Sequence, residues 1–167
     1  KKGRRTLYTY FRNKDEIFHA VIERELERLW HDIELTLRLP ASPEDKILTV
    51  MLTHLDKIKD LVLRNGSLRA EFFRDIWLVE KARADFDRQE IARLEALLHE
   101  GKAQGIFAIE DIRLTAYILQ NITKGMEVPY ISGAYRAEGS ITEIRKVVRH
   151  LLLYGLTSPA PTEQGVS

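Results

Sequence analysis

The chain is predicted to be all-α. Its long stretches repeat apolar residues every three to four positions, which is the helical period, and no sustained apolar–polar alternation marks a strand. The nine glycines and five prolines lie mostly at the gaps between these stretches. At 167 residues the chain can bury a real core, and the lack of cysteine excludes disulfides and thiolate metal sites.

The first half of the chain is predicted to form three helices. A short one covers residues 4–11. Asn13 then caps a long helix that ends before Pro40, and Ser42 followed by Pro43 starts another that stops at residues 65–66. The apolar stripes of the two long helices consist of Phe18, Ile22, Leu26, Leu29, Ile33 and Leu37, and of Ile47, Met51, His54, Ile58 and Leu61.

Four further helices are predicted in the second half. Two cover residues 67–82 and 84–104, and Gly105 is placed just past the end of the second. The helix over residues 111–127 is apolar on two faces, and the last, over residues 140–157, opens with a capping box and is apolar nearly all round. Helices of this kind are buried on two sides, so we expect a second subunit to cover one of these two sides.

The charges are segregated along the chain. The first 14 residues carry six positive charges and no negative one, and the rest of the chain therefore sums to −5 within a net charge of +1. This asymmetry favours contact between the basic end and a polyanion, although a solvated basic end would give the same pattern.

The sharpest motif is "TLYTYFRNKDEIF" at residues 6–18. It resembles the end of the helix-turn-helix of the tetracycline-repressor (TetR) family, in which a recognition helix precedes a long connecting helix. The resemblance extends to about residue 157. It implies DNA contacts by seven residues: Arg4, Arg5, Thr6, Tyr8, Thr9, Tyr10 and Lys14. The family's earlier helix-turn-helix elements have no counterpart in this sequence, so we expect that this stretch alone does not bind DNA specifically.

The resemblance implies a three-part organisation. Residues 1–17 would be part of a helix-turn-helix domain, residues 18–157 a helical ligand-binding and dimerisation domain, and residues 158–167 a disordered tail. The expected protein is a bacterial, cytoplasmic homodimer without a cofactor. It would repress transcription at a DNA operator and be released by a small molecule of unknown identity.

Pocket and dimer residues are proposed from the apolar faces. The pocket candidates are Met51, His54, Phe73, Trp77, Tyr117 and Asn121, which together offer aromatic walls and few polar anchors. The dimer candidates are Leu114, Ile118, Gly125, Val148, Leu151, Leu152 and Gly155. Other readings stay open: His54 as a hydrogen-bonded core residue, Asn121 as a residue that sets dimer register, and the aromatic side chains as ordinary core.

Two other classes of function remain as alternatives. A helical interaction module would use its apolar last helices to bind a different protein. A metal-dependent helix-bundle enzyme would use Glu16 and His19, whose Glu-x-x-His spacing is that of di-iron bundles, but the sequence supplies no second such pair. Because a phosphate-binding loop and a nucleophile elbow are also absent from the sequence, an enzyme is not predicted.

Overall fold

The computed structural model describes residues 13–64, 76–135 and 141–154. Within these ranges the regular structure is helical, as predicted. The helices are α1 (Lys14–Leu37), α2 (Pro43–Arg64), α3 (Ile76–Ala103), α4 (Ile112–Ser132) and α5 (Ile141–Tyr154).

Two helix starts carry the caps that the sequence predicts, whereas the first residue of the predicted capping box, Ser140, lies outside the described residues. Asn13 has extended backbone angles, and its side chain accepts a hydrogen bond of 2.8 Å from the backbone N–H of Glu16 at the start of α1. At the start of α2, Ser42 Oγ accepts from the N–H of Asp45 at 3.2 Å. Each cap pairs one of the N–H groups that a helix start leaves without an intrahelical partner.

Helices α1 to α4 form one unit around an apolar core, and α3 packs against each of the other three. The predicted stripe of α2 is confirmed, because all five of its residues are buried. The core side chains of α1 are Ile22, Leu26, Leu29 and Ile33, with spacings of three and four residues.

The prediction of two helices on either side of residue 83 is wrong, because α3 runs without interruption through Ile76–Ala103. Its buried face continues through Val79, Arg83, Phe86, Glu90 and Leu94. Two positions of this regular helical stripe carry charges, so the apolar pattern in the sequence breaks although the helix does not.

The end of α3 is closed by a glycine, as predicted. Gly105 has a φ of +72°, in the left-handed region that favours glycine. Its N–H donates to the carbonyl of Lys102 at 3.0 Å, and the N–H of Ile106 donates to the carbonyl of Gly101 at 2.8 Å. These two bonds are those of a Schellman motif, which satisfies the last carbonyls of the helix.

Helix α4 is longer than predicted, since it continues past Glu127 to Ser132 and contains Pro129. Proline removes one intrahelical hydrogen bond and crowds the carbonyl four residues earlier. That carbonyl belongs to Gly125, which lies on the exposed face of the helix, where water can reach it. The proline is therefore tolerated inside α4.

The chain divides into two compact units, Lys1–Ser132 and Gly133–Ser167. Gly133, with a φ of +80°, marks the division after α4. The predicted boundaries at residues 17 and 157 stay predictions, and the predicted tail lies outside the described residues. No helix in the described part of the chain is long and apolar enough to cross a membrane.

Candidate functional site

A buried histidine lies between two carboxylates at the centre of the helical unit. His54 on α2 is fully buried, with Nδ1 at 2.7 Å from Glu90 Oε1 on α3 and Nε2 at 2.7 Å from Glu127 Oε1 on α4. An ionised carboxylate only accepts hydrogen bonds, so both ring nitrogens must donate. His54 is therefore an imidazolium that joins three helices.

The network extends from Glu127 through a buried arginine. Arg83 NH1 and NH2 donate to the two oxygens of Glu127 at 3.0 and 2.7 Å, and its Nε donates to Asp87 Oδ1 at 3.0 Å. Lys124 then donates to Asp87 at 3.0 Å and to Glu80 at 2.6 Å. The bidentate arrangement fixes the guanidinium geometrically as well as electrostatically. We call Glu80, Arg83, Asp87, Glu90, Lys124, Glu127 and His54 the charged cluster.

The charges set one another's ionisation. Burial alone would lower the pKa of His54, but the charge of Glu90 and hydrogen bonds to Glu127 and Glu90 raise that pKa to about 9. Burial alone would raise the pKa of Glu127, but the hydrogen bond from His54 and the charge of Arg83 lower it to about 2. The pKa of Arg83 is raised further above its ordinary value by Glu127 and Asp87, against the effect of burial. These groups are all charged at neutral pH.

The charged cluster links three helices through buried ion pairs. Its acids are engaged by cations, and in the described part of the chain no group of three or more histidine, aspartate and glutamate side chains is placed to hold a metal ion. Breaking one buried ion pair costs about 3–5 kcal/mol because a charge is left uncompensated. The cluster thus holds α2, α3 and α4 in one arrangement.

Clefts open along the helix seams of this unit. One of about 280 Å³ lies between α1 and α3 and is lined by Leu26, Trp30, Ala82 and Phe86 among others. Another of about 480 Å³ lies between α1 and α2. The cleft between α3 and α4 measures about 540 Å³, with Ile91, Leu114 and Tyr117 in its wall. These volumes are in or near the range of small-ligand sites.

The structure does not gather the predicted pocket residues at one place. Met51 and His54 are buried in the core, whereas Trp77 is 82% exposed and Tyr117 is 55% exposed. Asn121 is exposed, and its side chain donates back to the carbonyl of Tyr117 at 2.8 Å. The same helices carry both buried and exposed apolar residues, and the apolar pattern of the sequence alone could not tell the two apart.

The predicted interface residues lie on exposed or half-buried helix surfaces. Leu114, Ile118 and Gly125 are exposed along α4. On α5, Leu151 is exposed, and Val148 and Leu152 are half-buried.

The predicted DNA-contacting residues fall mostly outside the described part of the chain. Lys14 is the first residue of α1, directly after the Asn13 cap. The remaining predicted DNA-contacting residues lie outside the described ranges: Arg4, Arg5, Thr6, Tyr8, Thr9 and Tyr10. The pocket candidate Phe73 and the dimer candidate Gly155 also lie outside them.

The sequence analysis missed the partners of His54. Glu90, Arg83 and Glu127 are all nearly completely buried. A signal existed, because Arg83 and Glu90 continue the spacing of the buried stripe on α3. Charges in a buried stripe indicate pairing, but their partners lie 36 to 73 positions apart in sequence.

Known proteins resemble this chain in structure but not in sequence. The sequence matches no protein-family model and no curated protein. The structure is similar to the crystal structure of the transcriptional regulator FadR from Bacillus subtilis in complex with stearoyl-CoA, with 16% identity and a TM-score of 0.68 over 91% of this chain and 81% of that one. It is also similar to the fatty acid degradation regulator FadR from Bacillus halodurans, with 22% identity and a TM-score of 0.67 over 90% of this chain and 77% of that one.

At these identities the likeness shows the fold, the all-helical fold of these regulators. The comparisons do not support the TetR family specifically, so that assignment rests on the sequence resemblance, whose sharpest motif is at residues 6–18.

Proposed function

We propose that this protein is a ligand-responsive transcription regulator of the TetR-like kind, which represses at a DNA operator and is released by a small molecule. The observation that carries the proposal is the direct continuity of the basic motif with α1. The motif reaches Asn13, whose side chain caps α1, and α1 then enters the core of a fold shared with two transcription regulators. A change in the core is thereby linked to the DNA-contacting segment.

Ion pairs hold the C-terminal end of α1. Lys57 on α2 donates to Asp32 at 2.6 Å, and Arg93 on α3 donates through Nε to Glu34 at 2.8 Å. The cleft between α1 and α3 lies at the middle of the helix, where Glu23, Leu26, Glu27 and Trp30 line it. A ligand in that cleft would bear on the part of α1 between the motif and these ion pairs.

An effector acts only through a difference in its affinity for two states of the protein. Coupling of this kind typically amounts to about 1–3 kcal/mol between effector and DNA. The B. subtilis FadR structure contains stearoyl-CoA, so a long-chain acyl-CoA is the first effector that we would test.

A homodimer belongs to the proposal, because a regulator of this kind reads two half-sites about 34–36 Å apart. Along α4 an exposed face carries apolar side chains at helical spacing, with Asn121 and Gly125 between them: Leu114, Tyr117, Ile118, Ile122 and Val128. Large exposed apolar patches are typical of interaction sites. We assign this stripe to the second subunit.

The proposal is tested by fluorescence anisotropy of the protein produced from its complete gene. The DNA is the region upstream of that gene, with random DNA as the comparison, at several salt concentrations. We expect tight binding of two subunits to specific DNA and release by the effector. Lys14→Ala should weaken binding to all sequences and reduce the slope of log affinity against log salt by about one. Lys81→Ala, an exposed lysine on α3, is the matched control and should change neither quantity.

Two results would contradict the proposal together. The first is equal, weak binding to upstream and random DNA, and the second is a genome-wide binding selection that enriches no site. The apolar stripe would then favour a helical interaction module. Bound iron or manganese in elemental analysis would instead indicate a metal-dependent enzyme.

A further inference from the structure

Two buried side chains on the neighbouring helices α3 and α4 each carry a polar atom without a partner, and the two atoms have opposite hydrogen-bonding character. Glu90 Oε2 is an acceptor and Gln120 Nε2 is a donor, and neither has a hydrogen-bond partner among the described residues. Their side chains are only 1% and 2% exposed. Leaving a buried polar group unpaired costs about 1–3 kcal/mol, so a native structure rarely keeps two of them together.

The residues that carry these atoms lie at matching register positions of α3 and α4. Arg83 on α3 pairs with Glu127 on α4, whereas residues 88–95 of α3 line one cleft together with residues 111–117 at the start of α4. The later part of α3 thus lies beside the earlier part of α4, so the two helices are antiparallel. Glu90 follows Arg83 by seven residues and Gln120 precedes Glu127 by seven, so we expect Glu90 and Gln120 at the same level, two helical turns from that ion pair.

We propose that Glu90 and Gln120 form an interior binding site for one hydroxyl group, supplied either by a water molecule or by an alcohol group of the effector. A hydroxyl group donates one hydrogen bond and accepts others, so one oxygen satisfies the Glu90 acceptor and the Gln120 donor at once. Buried water molecules take this role between groups that do not reach each other directly.

The neighbouring groups define what the site accepts. The second oxygen of Glu90 is held at 2.7 Å by His54, so Glu90 is fixed in place. Thr123 lies one turn from Gln120 on the same buried face, and its hydroxyl donates to the carbonyl of Leu119 at 3.0 Å, which leaves its own oxygen able to accept. A third unpaired atom, Glu44 Oε2, lies in the first turn of α2, where the helix end favours a carboxylate.

The sign of one stability change tests the proposal. Gln120→Met keeps the length of the side chain but removes the donor. If a hydroxyl group bridges the site, the variant leaves Glu90 Oε2 without its bridge, and Tm should fall by about 3–8 °C. If the Gln120 amide is simply unpaired, its removal should leave Tm unchanged or raise it. Gln89, the residue before Glu90, is exposed. Gln89→Met is therefore the matched control and should not change Tm.

Two preparations of the full chain distinguish water from an effector. One is used as purified, and the other is refolded from denaturant in plain buffer. A fall in Tm in both, with NMR cross-peaks between the Gln120 amide protons and water, assigns the site to water. A fall only in the purified preparation, with an added mass in native mass spectrometry, assigns it to a bound alcohol.

A Tm for Gln120→Met that is equal to or above that of the unchanged chain in both preparations would overturn the inference. The water form does not depend on the proposed function, whereas the effector form rests on it. Anisotropy with operator DNA separates the two failures, because specific DNA binding would survive the loss of this site.

Discussion

At the scale of single residues, His54 decides how three helices meet. It has no exposed surface, and both of its nitrogens donate to carboxylates on other helices. An apolar stripe with one histidine left its role open, and the pairing with Glu90 and Glu127 identifies it as a buried cation.

We expect His54→Gln to destabilise the protein by about 3–5 kcal/mol, because the substitution removes one positive charge from between two buried carboxylates. Urea denaturation followed by circular dichroism measures the loss. His99→Gln on the exposed side of α3 is the control and should stay within about 0.5 kcal/mol of the unchanged protein. A loss below about 1 kcal/mol for His54→Gln would contradict the buried imidazolium.

The contribution of His54 and Glu127 to the free energy of unfolding should be greatest at mildly acidic pH. The pKa of folded His54, about 9, exceeds its ordinary value of 6.5, so its contribution is complete below pH 6.5 and is lost as pH rises through 9. The pKa of folded Glu127, about 2, lies below its ordinary value of 4.5, so its contribution is complete above pH 4.5 and is lost as pH falls through 2. Both contributions are complete between pH 4.5 and 6.5.

NMR titration of the histidine ring protons measures the alkaline limb directly. We expect the His54 resonance to titrate near pH 9, well above the ordinary histidine value of 6.5. A midpoint at that ordinary value would show that the two carboxylates do not hold the proton.

At the scale of an element, the end of α3 depends on a close contact between Gly101 and Phe107. A Cβ atom added at Gly101 would lie 2.2 Å from two atoms of the Phe107 ring, closer than side chains tolerate. The same glycine carbonyl accepts the Schellman bond from Ile106. The turn from α3 to α4 therefore requires a residue without a side chain at position 101.

Gly101→Ala should lower the stability by about 1–3 kcal/mol, since either the ring or the turn must shift. Phe107→Ala in the same chain removes the ring, and we expect Gly101→Ala to cost much less in that background. Thermal unfolding of the single and double variants measures this coupling. Additive losses would show that the ring contact is not what excludes a side chain at position 101.

At the scale of the whole molecule, we propose that the exposed stripe on α4 forms the dimer interface. Ile118 is 48% exposed at the middle of the stripe. Leu114 and Ile122 lie one turn to either side of it on the same face, so a charge at position 118 would be buried in any interface built on this face.

Ile118→Glu is expected to convert a dimer into monomers, measured by light scattering coupled to size exclusion. Val21→Glu is the matched control, because Val21 is similarly exposed at 41% but lies on α1, outside the stripe. The unchanged protein should also show a Tm that rises with concentration, since association stabilises the folded chain. A dimer that persists in Ile118→Glu would place the interface elsewhere.

The sequence alone determined the class of fold and most of the helix starts. The caps at Asn13 and Ser42 and the buried stripe of α2 could be predicted because they depend on residues close together in the chain. The motif at residues 6–18 likewise carries its indication of DNA contact within one short segment.

Only the tertiary structure decided which charges are buried and which apolar faces are exposed. Arg83 and Glu90 lie in the core because their partners arrive from α2 and α4, 36 and 44 positions away. Trp77 is an aromatic side chain suited to a pocket wall, yet it is 82% exposed, whereas Tyr117 lies in the wall of an open cleft between α3 and α4. A helical period fixes which residues share a face, but the packing of other helices decides whether that face is covered.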